Sequence, residues 1–198
     1  MKYIICLILI LVWLYILHVQ KCSSLHFWHF LTGSLGLFVF LMVLIRPIFV
    51  QPLSRCVAAI AGIFGSLTGT FTAFFKYGIL FIDSASGAIT LQIDFECSGI
   101  IEIIAFLSLL LFFEVYTTHE KIVISILGTL GIIAANVLRI IVICELMYFF
   151  GMDAYYISHA LVGRFVFYAL SVLLYFYVFT KPQIVRIQVG KFSYGNNK

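Results

Sequence analysis

The chain has 198 residues, 64% of them hydrophobic, 17% aromatic and 10% charged, with a formal net charge of +4 and a mean hydropathy of +1.17. Soluble domains carry about 25% charged residues, so this composition cannot cover a water-facing surface. A soluble fold is excluded, and the small positive balance gives no case for a nucleic-acid partner. The chain reads as an integral membrane protein whose partner is the lipid bilayer, with room for about six helices of ~20 residues. The expected fold is all-α, one polytopic membrane domain over residues 1–198.

Residues 3–19 form an apolar run behind a single lysine. No small-x-small cleavage site follows, only "HVQKCSS", so a retained first span is expected rather than a signal peptide. Residues 27–45 make the second span. The stretch "RPIFVQPLSR" follows, with two arginines and two prolines, and reads as a loop. Residues 56–75 are rich in Gly, Ser and Thr; they either span or lie in the interface, and a span is preferred. In residues 79–95 the character changes. Ile89, Leu91, Ile93 and Phe95 alternate with Thr90, Gln92 and Asp94 after the turn signal "DSASG". Period-two alternation around a turn predicts a small β-hairpin, outside the membrane and ahead of the fourth span. Residues 98–116, 122–150 and 159–180 complete the six, and a basic tail occupies 181–198.

Basic residues orient the chain. With both termini in the cytoplasm, Lys2, Arg46, Arg55, Lys121, Lys181, Arg186, Lys191 and Lys198 fall inside, and only Lys21 and Lys76 fall outside. This topology brings Cys97 to the outer end of the fourth span. Arg139 lies about 25 Å along the fifth, near the same outer boundary. His159 opens the sixth from the same side. An arginine inside a span is costly and marks a functional site by default. Asn136, three residues before it, shares its helix face and is expected to hold the guanidinium. The bland alternatives are a structural pair between Arg139 and Glu102 or Glu145, packing for Cys97, and interfacial anchoring for His159.

A thiol beside an imidazole and a guanidinium suits acyl transfer. The thiolate is the nucleophile, its proton goes to the imidazole, and the guanidinium stabilises the oxyanion. Other constellations are weaker. "HEKIV" lacks the second histidine of a zinc-protease helix, and "HFWH" has no further ligand close by in sequence. No cofactor or metal is expected. The five cysteines show no CxxC spacing, so neither a disulfide framework nor a zinc site is indicated. A small six-span solute-binding subunit of a transporter is the rival reading; it would use Arg139 for an anionic solute and would not need Cys97.

"ECSGI" at the head of one span, "NVLRI" near the outer end of the next and "HALVG" opening the last resemble the exosortase/archaeosortase family over residues 46–180. The short chain is most similar to the exosortase G type of Gram-positive bacteria. The resemblance implies a cysteine peptidase or transpeptidase with Cys97, Arg139 and His159 as its catalytic residues. Ser98, Gly99, Asn136 and Gly163 match surrounding motif positions. It also implies a membrane-anchored protein substrate bearing a C-terminal motif, one transmembrane helix and a basic cluster, cut at the outer face of the plasma membrane. Glu102 and Arg164 depart from the common pattern and are expected to form a buried pair supporting the site.

Overall fold

The computed structural model of the chain describes residues 2–84 and 87–185, and side chains from residue 9 onward except those of Ile45 and Arg46. The hairpin-turn residues Ala85 and Ser86, the tail 186–198 and the side chains of Lys2, Cys6 and Arg46 lie outside the described residues. Helix α1 (Lys2–Cys22) turns at Ser23–Leu25 into α2 (His26–Thr68). Three strands follow: β1 (Phe71–Phe74), β2 (Ile79–Ser84) and β3 (Gly87–Gln92), with a 3-10 turn at Phe75–Tyr77. Helix α3 (Ile100–Phe112), α4 (Thr118–Phe150) and a last helical run containing α5 (Gly163–Tyr175) complete the chain. Two π-helical turns, Ile157–Val162 and Phe176–Thr180, flank α5.

Four segments are long and apolar enough to cross a membrane: His26–Leu44, Pro47–Thr68, Thr118–Phe150 and Met152–Val185. The protein is a multi-pass membrane protein. The first two of these segments are not separated, however. The stretch 46–55, expected as a loop, is helical, and α2 runs unbroken through 43 residues with Pro47 and Pro52 inside it. Proline removes one backbone bond and tends to kink a helix. In hydrocarbon no water replaces the lost partners, so a continuous or locally adjusted helix is the favoured outcome. The expected third span also ends early, at Thr68, because Gly69 adopts a left-handed C-cap (φ 73°) and the chain enters β1. At 13 residues α3 covers about 20 Å, less than the fourth span expected over 98–116.

Neighbouring helices run antiparallel. The Trp13 indole donates to the Thr32 carbonyl (3.0 Å), joining α1 to α2 across their turn. Gly33 of α2 abuts the Phe112 ring at the end of α3, while Leu53 packs against the buried cluster that contains Ile103, Phe106 and Leu110 of α3. Gly128 of α4 lies against the Phe106 ring, and Tyr116 donates to the Val178 carbonyl at the end of the last helix (2.5 Å). The α1–α2 turn, the α3–α4 loop and the end of the last helix therefore share one end of the bundle. His26 and Glu114 approach to 3.4 Å there.

The sheet caps the opposite end. Its order is β1-β2-β3, antiparallel throughout, with Leu80 opposite Leu91 and Ile82 opposite Ile89. Leu80, Ile82, Ile89, Leu91 and Ile93 are buried, so the alternation read in the sequence corresponds to one inward face. That face packs on Val57, Ala58 and Ala61 of α2 and on Ile140, Ile143 and Met147 of α4. Strand β1 has no counterpart in the sequence reading, which placed residues 71–74 in a span.

Candidate active site

The chain leaves Ile93 and must turn sharply into α3. It does so through a tight turn in which the Cys97 N–H donates to the Asp94 carbonyl (3.1 Å) and the Ser98 hydroxyl donates to the Phe95 carbonyl (2.8 Å). Gly99 is the helix N-cap at φ 80°. An L-residue in that left-handed region is strained by about 1–2 kcal/mol, while a Cβ there would only touch the Asn136 amide at 3.4 Å. This accounts locally for the Cys-Ser-Gly order.

Asn136 is fully buried in α4 and donates its amide to the Cys97 carbonyl at 2.8 Å. Its expected partner was Arg139, three residues on; instead it holds the backbone that carries the thiol. Arg139, one turn further, is 5% exposed and directs Nη2 at the Cys97 sulfur (3.6 Å). Its guanidinium also lies 5.7 Å from the centroid of the Phe167 ring, an attractive placement for a desolvated cation. Among the described residues Arg139 forms no ion pair with Glu102 or Glu145; Glu145 accepts from the Thr70 hydroxyl instead (2.7 Å).

His159 comes from the π-helical turn Ile157–Val162, and its Nε2 is 3.1 Å from the Cys97 sulfur. The turn closes by the Gly163 N–H donating to the Ser158 carbonyl. A Cβ on Gly163 would come within 2.9 Å of that carbonyl oxygen and 2.7 Å of the Ile143 side chain, so this glycine permits both the turn and the contact with α4. The Tyr155 ring stacks on His159 with centroids 5.5 Å apart and planes 11° from parallel. Tyr155 was missed in the sequence, although an aromatic four residues before a histidine is a readable helical neighbour. Phe167 was missed as well.

Thiol, imidazole and guanidinium thus meet at one point although residues 97, 139 and 159 are far apart in sequence. Burial pushes the Cys97 thiol above its ordinary pKa; the Arg139 guanidinium opposes this, while Asp94 and Glu96 add to it. Burial thus favours the neutral thiol over the thiolate, and the His159 imidazole lies within hydrogen-bond reach of the sulfur. A buried thiol gains nucleophilic character when its proton is withdrawn, and an imidazole at this distance can accept that proton. Arg139 Nε and Asn136 Oδ1 are buried without hydrogen-bond partners, leaving polar capacity around the sulfur.

The supporting pair is not formed. Glu102 is half-buried with Oε2 unpartnered, and Arg164 is exposed. Gly163 is the residue that faces Ile143, which turns the neighbouring Arg164 outward.

The transmembrane exosortase (Exosortase_EpsH) family model matches residues 2–177. No curated protein matches the chain, and no solved structure does. The family match takes in α1 and the full length of α2 as well as the segment from 46 onward that carries the motifs. With 176 of 198 residues covered (2–177), the chain belongs to the transmembrane exosortase family.

Proposed function

We propose that this exosortase is a cysteine peptidase or transpeptidase that removes a C-terminal sorting signal from exported, membrane-anchored proteins. The observation that carries the reading is the sulfur of Cys97 held 3.1 Å from His159 Nε2 and 3.6 Å from Arg139 Nη2. His159 takes the thiol proton as the sulfur attacks the scissile carbonyl. Arg139 stabilises the oxyanion of the tetrahedral adduct. The adduct collapses to a thioester on Cys97, and His159 returns the proton to the leaving amine. Water or an envelope amine then attacks the thioester; its attack frees the thiol and releases or transfers the protein.

The site faces outward at the plasma membrane in this reading. Lys21, Lys121 and Lys181 sit at the bundle end opposite Cys97, and Arg186, Lys191 and Lys198 follow Lys181 in sequence, against Lys2 and Lys76 toward the other end. With Arg55 beside Lys76 and Arg164 near His159 counted on the side of Cys97, the balance of six against four still supports a cytoplasmic far end. With the unbroken α2 counted as one pass, we read α1 to α5 as five alternating segments, of which the 13-residue α3 is too short to cross alone. In this reading the amino terminus lies on the side of Cys97, whereas the sequence predicts both termini in the cytoplasm.

A reporter ending in a motif, a span and a basic cluster tests the chemistry. Co-expression with the wild-type chain trims it, whereas Cys97→Ser and Arg139→Lys leave it full length in membranes containing equal amounts of each variant. Lysine keeps the charge but loses the planar fork. Trimming by Cys97→Ser would overturn the nucleophile assignment and favour the solute-binding reading.

A further inference from the structure

A cleft of about 380 Å3 opens between the middle of α2, the 3-10 turn Phe75–Tyr77 and the strand leading toward Cys97. Another cleft, about 950 Å3 between α2 and the last helix, is lined chiefly by aromatic and aliphatic side chains. The smaller one is different. Its polar wall comprises Gln51, Ser54, Arg55, Lys76, Gln92 and Asp94. The sequence reading had put Arg55 and Lys76 on opposite sides of the membrane; with α2 continuous they line one cavity.

Arg55 lies within Pro47–Thr68, a segment apolar enough to cross a membrane. A guanidinium there is costly unless polar partners or ligands meet it. Its side-chain partner is Gln51 Oε1 at 3.4 Å, a long, neutral contact. Lys76 Nζ lies 5.9 Å from the centroid of the Tyr77 ring. Among the described residues neither cation has a carboxylate within ion-pair distance. Ser54 is 4% exposed, and its hydroxyl is buried with no hydrogen-bond partner. Buried hydroxyls are nearly always paired, and this one stands unpaired at the cleft wall. Asp94 is the single acid on the wall, leaving two cations against one anion.

We propose that this cleft is a binding site for a phosphate group. Phosphate fits better than a carboxylate because it offers more acceptor oxygens to a guanidinium fork, an ammonium and a hydroxyl arriving from different elements. Its source is either a phospholipid headgroup or free phosphate, and the same oxygen chemistry serves both. The site does not depend on Cys97 being a nucleophile.

The test uses the full chain carrying Cys97→Ala, purified in a nonionic detergent, so that turnover plays no part. Dihexanoyl phosphatidic acid is titrated and followed by native mass spectrometry, with inorganic phosphate as the second probe. One saturable site is expected for at least one probe. Lys76→Gln, on an exposed turn, should weaken it about tenfold, and Arg55→Gln with Lys76→Gln should weaken it further. Competition by inorganic phosphate assigns free phosphate; saturable lipid binding without such competition assigns the headgroup. Absence of saturable binding of both probes overturns the proposal. So does binding that Lys76→Gln and Ser54→Ala leave unchanged in folded protein, because Arg55 and Lys76 would then be interfacial anchors only.

Discussion

Replacing Asn136 by alanine removes the donor that holds the Cys97 carbonyl at 2.8 Å in a fully buried position. A buried acceptor left without its partner costs about 1–3 kcal/mol. Helices α3 and α4 are locked together further down by Phe106 against Gly128. The element free to respond is the turn from Asp94 to Gly99, which carries the sulfur. If the turn shifts to relieve the carbonyl, the fraction of molecules with sulfur and imidazole in contact falls by the same free energy, roughly 5- to 150-fold. Reporter trimming in proteoliposomes should slow by that factor, with apparent KM little changed. Asn136→Asp is a sharper probe. It keeps the volume but sets an ionised carboxylate against a carbonyl, acceptor facing acceptor. Its loss should exceed that of alanine at neutral pH and shrink as acidification makes the carboxyl a donor. Wild-type trimming by Asn136→Ala, or an Asn136→Asp deficit indifferent to pH, would refute the claim that this hydrogen bond positions the thiol.

Tyr155→Phe preserves the ring stacked on His159 and should keep at least about half the trimming rate, whereas Tyr155→Ala should lose about fivefold for a stacking contribution near 1 kcal/mol; equal rates would remove Tyr155 from the site. Alkylation of Cys97 by N-ethylmaleimide, in a background with serine at the exposed Cys22 and Cys56, should rise with pH through and beyond the ordinary thiol range, because burial raises the thiol's pKa. Glu96→Gln removes a charge that raises that pKa and should speed alkylation at neutral pH, while Arg139→Gln should slow it; the reverse order would contradict the electrostatics. Reporters fused after Lys198, inserted at Ser86 and fused ahead of Met1 should read inside, outside and outside. A cytoplasmic amino-terminal reporter would mean that α1 does not cross.

The sequence carried the site further than the architecture. Depth along a helix is nearly a one-dimensional quantity, so counting residues from a loop was enough to bring Cys97, Arg139 and His159 together. The hairpin was legible because Ile89, Leu91 and Ile93 alternate strictly. The continuity of α2 was not. Arg46, Pro47, Pro52 and Arg55 carry every signal of a loop in water, and those signals lose force where backbone groups have no solvent to turn to. Strand β1 was hidden because four residues give too short a period, and because its place depends on Gly62 and Gly65 letting Ala73 and Phe71 approach α2. The partner of Asn136 could not be read from spacing: helical neighbours pointed to Arg139, and only the packing of the Asp94–Gly99 turn on α4 offered the Cys97 carbonyl instead. The Glu102–Arg164 pair failed for a related reason, since a π-helical turn ahead of α5 undoes residue counting on that helix.

The account rests on Cys97 becoming acylated, and the direct measurement is intact mass spectrometry of the chain isolated from cells co-expressing the reporter. An adduct on Cys97 equal in mass to the reporter's amino-terminal fragment is predicted. Hydroxylamine should release it as a thioester, and it should be absent from His159→Ala. Reporter trimmed in full while Cys97 stays unmodified, or trimmed equally by Cys97→Ala, would contradict the account.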